Sequence, residues 1–147
     1  MRTFICFLAI ALSMLAAVNK EKNMRSVLES NKLLCDIAEN IKEDHVYKMS
    51  PVSDIIADAI GVSCSDFSEI SALLRTMTHN AISASDIYER LRDITSAVLS
   101  NFEEKCDELI RITRSSYEKA SSEYLKCKKT VFYVYPGITA MIAILFI

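Results

Sequence analysis

From Val62 to Tyr135 the chain contains neither glycine nor proline. Tight β-hairpins usually need Gly, Asn or Asp at positive φ, whereas helices need neither Gly nor Pro. So long a stretch without either residue predicts an all-α fold. The whole chain of 147 residues holds only 2 glycines and 2 prolines, which excludes collagen-like and turn-rich all-β architectures. Its 51% hydrophobic content excludes disorder. The 17 basic and 19 acidic side chains leave a net charge of −2, too balanced for a dedicated nucleic-acid binder. The length allows one domain.

Charge is distributed unevenly. Phe4 to Val18 is an apolar run broken only by Ser13, preceded by Arg2. It is shorter than the roughly 20 residues of a spanning helix and resembles the core of a secretory signal, so residues 1–18 are expected to direct export. Cutting after Ala17 would place Leu15 where a small residue is preferred. A buried N-terminal helix or an uncleaved signal anchor is the alternative. At the other end, Val131 to Ile147 carries no charge. Three readings compete for it. It is a retained membrane anchor, the discarded tail of a lipid-anchor signal, or a core segment. Ala120, Ser121 and Ser122 followed by a polar spacer are candidate lipid-anchor sites. Lys126, Lys128 and Lys129 stand just before the segment; behind a cleaved signal they would face outward, against the positive-inside rule.

The middle, residues 19–130, carries 35 of the 36 charged side chains and is expected to form a helical extracytoplasmic domain. The pattern predicts a small bundle of about four helices. Helix one runs from about Lys22 to Tyr47, with Val27, Leu28, Leu34, Ala38, Ile41 and His45 on one face. Ser50-Pro51 opens helix two, which ends near Ile60 with Gly61 as its stop. Ser63 or Ser65 opens helix three, with Phe67, Ile70, Leu74 and Met77 on one side. Ser83 and Asp86 resemble a capping box. A long fourth helix follows, from Ala84 to Lys129, leading into the apolar C-terminus. Its stripe (Ile87, Leu91, Ile94, Val98, Phe102, Cys106, Leu109, Thr113, Tyr117, Ala120, Tyr124, Cys127) repeats about every 3.6 residues, a plain helix and not a heptad seam. The weakest point, Arg114-Ser115-Ser116, is the expected break.

Of 5 cysteines, Cys6 lies in the signal. Cys35, Cys64, Cys106 and Cys127 are disulfide candidates if the chain is secreted, and four cysteines allow three connectivities. An unbroken fourth helix would hold Cys106 and Cys127 about 31 Å apart, beyond bonding. Cys64 could then reach Cys106, leaving Cys127 near the membrane. The cysteine spacing is similar to that of four-cysteine variants of insect odorant-binding proteins, small secreted helical carriers of apolar ligands, and Tyr117-Glu-Lys-Ala120 before Cys127 is loosely similar to the segment before that family's last cysteine. The chain departs from the family in its apolar C-terminus and in lacking a Cys-x-x-x-Cys pair. The resemblance implies Cys35–Cys64 and Cys106–Cys127 bridges, and an apolar tail that lines or plugs a cavity.

No catalytic constellation is found. Gly-rich phosphate loops and a Gly-x-Ser-x-Gly elbow are absent. Cys35 and His45 fall nearly three helical turns apart. His45 and His79 lack metal-site spacing, and the Glu103, Glu104, Asp107 and Glu108 cluster suits a solvated helix face. Tyr117, Tyr124, Tyr133 and Tyr135 approach the apolar tail, where tyrosines mark membrane interfaces. The expectation is a non-enzymatic protein, secreted or at the cell surface, without metal or cofactor. Its C-terminal segment would meet a membrane and its helical domain a protein partner. The alternative is a soluble carrier of a small apolar ligand. Nucleic acid is not an expected partner.

Overall fold

The computed structural model describes residues 2–63, 66–96 and 101–146, and all its regular structure is helical, as expected. The elements are α1 (Arg2–Lys48), α2 (Val52–Ile60), α3 (Phe67–Met77), α4 (Ala84–Thr95), α5 (Phe102–Lys129), a π-helical turn (Thr130–Val134) and α6 (Tyr135–Phe146). Cys64, Ser65 and Val98 lie outside the described residues.

Two compact units are present. One is Val27–Ala120; the other joins Met1–Ser26 to Ser121–Ile147. The first holds the core. Leu34, Ile37, Ala38 and Ile41 of α1 are buried there with Val52, Ile55, Ile56 and Ala57 of α2, Ile70 and Leu74 of α3, Ile87, Leu91 and Ile94 of α4, and Phe102, Cys106 and Leu109 of α5. These recur three or four residues apart within each helix, so each helix turns one apolar face inward. Three ion pairs cross between helices on the outside: Lys42–Asp107 at 2.5 Å, and Glu39–Arg114 and Arg90–Glu108 at 2.6 Å. Such exposed pairs contribute little individually.

Several boundaries differ from those read in the sequence. The apolar run and helix one are a single helix, α1, because nothing from Arg2 to Lys48 interrupts it: this stretch has no Gly or Pro. Pro51, not Ser50, takes the N-cap position of α2, and its carbonyl accepts from the Asp54 and Ile55 amides. Gly61 does end α2, at φ 72°. Asp66 caps α3, its carboxylate accepting from the Ser68 amide at 3.0 Å. Ser83 makes no side-chain cap, so the expected box with Asp86 does not form.

The long fourth helix is two helices. α4 ends at Thr95, where the Thr95 and Ser96 hydroxyls donate to the carbonyls of Arg92 and Asp93. The break expected at Arg114-Ser115-Ser116 is absent, and α5 runs through it. Ser116 and Thr113 are buried small residues on the packed stripe, and the Thr113 hydroxyl donates back to the Leu109 and Ile110 carbonyls within the helix. After Lys129 the helix widens. The Tyr135 amide donates to the Thr130 carbonyl five residues back, directly before Pro136, whose ring would press on the carbonyl four residues back in a regular turn.

Candidate functional site

The cysteines do not form the bridges that the odorant-binding resemblance implies. Cys35, Cys106 and Cys127 are free and buried. Cys106 and Cys127 stand on one continuous helix, α5, roughly 31 Å apart along its axis, so no bridge can join them. Burial pushes the Cys106 thiol up to about 11. Burial, and then the Glu39 carboxylate, raise Cys35 as well. Both thiols are therefore protonated and unreactive near neutrality.

The lipid-anchor candidates lie in mid-helix. Ala120 is fully buried, Ser121 half-buried and Ser122 exposed, all within α5. The acidic cluster separates by role: Asp107 pairs with Lys42 and Glu108 with Arg90, while Glu103 and Glu104 are exposed. Among the described residues no group of three or more His, Cys, Asp or Glu side chains could hold a metal ion.

Two features remain. In the core unit, His45 stacks against Phe102 with ring centroids 4.1 Å apart, and its Nδ1–H donates to the Ser50 carbonyl at 2.8 Å. These rings, with Val52, Phe67 and Ile94, line an open cavity of about 290 Å³. That is at the lower limit of ordinary small-molecule sites.

The second feature is the unit made of the chain ends. Phe7, Leu8, Leu12, Met14, Leu15 and Val18 of α1 are all exposed. So are Leu125, Phe132, Tyr133, Val134, Ile138, Met141 and Ile144, with Tyr133 at 79% and Ile144 at 77%. Ala17, at 4%, and Cys127 are among its few buried side chains. Among the described residues of the core unit the exposed large hydrophobics are Met49, Leu73 and Met77. Lys20, Lys22, Lys126, Lys128 and Lys129 are exposed where the charged parts of the chain meet these apolar segments. Leu125, Lys128, Lys129, Phe132 and Tyr133 line a shallow depression of about 410 Å³. Of the four tyrosines near the tail, only Tyr133 is exposed; Tyr117, Tyr124 and Tyr135 are half-buried. The contribution of Lys20 and Lys22 was missed in the sequence reading; the signal was a charge step after Asn19 mirroring the one before Thr130. Among the described residues no helix is long and apolar enough to cross a membrane. No protein family, curated protein or solved structure matches the chain.

Proposed function

We propose that this protein is a non-enzymatic helical module held at a membrane by its apolar ends and acting through contacts between its charged helical domain and another protein. The observation that carries the reading is the segregation of exposed apolar surface: among the described residues the core unit exposes three large hydrophobic side chains, whereas the end unit exposes thirteen. Exposed apolar surface of that extent marks a membrane or protein contact. Display outside the cell rests on the signal-like pattern of the N-terminal run alone.

Fractionation tests the reading. After a high-salt wash the full chain is expected to stay with the membrane pellet, and removing residues 131–147 is expected to weaken that retention. A full chain found entirely in the supernatant overturns the proposal. The His45 cavity favours a second reading, a carrier of a small apolar ligand. In that case a fluorescent apolar probe would bind, and filling the cavity by Val52→Phe would expel it.

A further inference from the structure

We infer that the end unit docks on a phospholipid bilayer through a collar of lysines and aromatic rings that selects anionic headgroups. The inference rests on the membrane attachment proposed above and adds the class of lipid. Its first support is the width of the apolar surface. At 3.6 residues per turn, Phe7, Leu8, Leu12, Met14, Leu15 and Val18 spread over roughly 160° of α1. Phe132, Tyr133 and Val134 are consecutive and all exposed, and Ile138, Met141 and Ile144 continue the surface along α6. The other positions from Phe4 to Val18 are apolar too apart from Ser13, so this part of α1 has no charged face; that suits a surrounding apolar medium, whereas a second copy of the chain would need only one apolar seam.

The second support is the charge step. Thr3 to Asn19 and Thr130 to Ile147 contain no Asp, Glu, Lys, Arg or His. The adjoining segments, 20–25 and 121–129, carry Lys20, Lys22, Arg25, Lys126, Lys128 and Lys129 against only Glu21 and Glu123. Basic residues at the edge of an apolar segment are attracted to anionic lipid surfaces.

The third support is the depression itself. Lys128 and Lys129 line it together with Leu125, Phe132 and Tyr133. Lysines beside exposed apolar side chains match a phosphate headgroup above its acyl chains, and an exposed tyrosine is suited to the headgroup level. The 12 residues of α6 rise about 18 Å, short of the ~30 Å hydrocarbon core, so insertion reaches only part of the way across.

Vesicle flotation of the full chain tests the inference. One vesicle set is phosphatidylcholine; the other mixes in phosphatidylserine. The chain is expected to float with both but to bind the anionic vesicles more tightly, and high salt should erase the difference. The triple variant Lys126→Gln, Lys128→Gln, Lys129→Gln should lose roughly a hundredfold in affinity for anionic vesicles while keeping its binding to neutral ones. Circular dichroism checks that the variant stays helical. Equal affinity of the native chain for both vesicle sets, or an undiminished anionic preference in the helical variant, overturns the lipid selection and leaves attachment standing. No flotation with either set overturns the attachment as well. A stoichiometric dimer that excludes vesicles identifies a second copy as the occupant and also overturns both.

Discussion

Asn31, at 1% exposure, bonds through both ends of its amide: Nδ2 donates to the Val27 carbonyl at 2.7 Å, and Oδ1 accepts from the Ile82 amide at 3.2 Å. The second bond ties α1 to the turn between α3 and α4, where the Ser30 hydroxyl also donates to the Met77 carbonyl. Asn31→Leu would leave the Ile82 amide without its acceptor, and should lower stability by about 1–3 kcal/mol in urea unfolding. An asparagine in a helix pattern reads as a solvated position, and its partner 51 residues away is invisible to local periodicity. Ile37, fully buried, escaped for a different reason: the face was counted through Leu34, Ala38 and Ile41, and the core stripe is wider than that single line. The buried thiols also carry a pH dependence. The Cys106 pKa stands at about 11 against an ordinary 9.0, so between those values the unfolded chain has released a proton that the folded chain still holds. Stability is therefore expected to fall as pH rises through that window, and Cys106→Ala should flatten the fall in thermal melts recorded from pH 8 upward.

Among the elements, the stop at Gly61 shows how far local chemistry carries. The Gly61 amide donates to the Asp58 carbonyl and the Val62 amide to the Ala57 carbonyl, the paired bonds of a Schellman ending, with Gly61 at φ 72°. Nothing lies within 4 Å of the position that a Cβ would take. The cost of Gly61→Ala is then conformational alone, about 1 kcal/mol of destabilisation, readable as a lower urea midpoint with an unchanged slope. This ending was legible because glycine at a helix terminus has one dominant use. The α4–α5 boundary was not. Ile94 and Phe102 both face the core, so the apolar stripe keeps its period past the end of α4. Periodicity alone therefore runs the two helices together, although α4 ends at Thr95. The expected break near Ser115 failed in the opposite sense. Small polar residues looked like a gap in the stripe, whereas Ser116 is buried as part of it.

For the molecule as a whole, the exposed apolar surface of the end unit has a consequence in solution. The full chain should self-associate in detergent-free buffer and elute as a single small species in a mild non-ionic detergent, as light scattering on the column effluent would show. A monodisperse monomer in plain buffer would contradict it. The sequence alone determined the helical class, the inward positions Ile70, Leu74, Ile87, Leu91 and Ile94, and the separation of a charged middle from apolar ends, whereas Met77, expected on the same side as Ile70, is exposed. Those properties follow from neighbours within one or two turns, through propensity, periodicity and charge. Only the tertiary structure decided that residues 1–26 and 121–147 belong to one unit, that Asn31 meets Ile82, and that Cys35, Cys106 and Cys127 are buried as free thiols. Segments so far apart in the chain are joined by the burial that their meeting permits, and that gain leaves no mark on the local pattern of either segment.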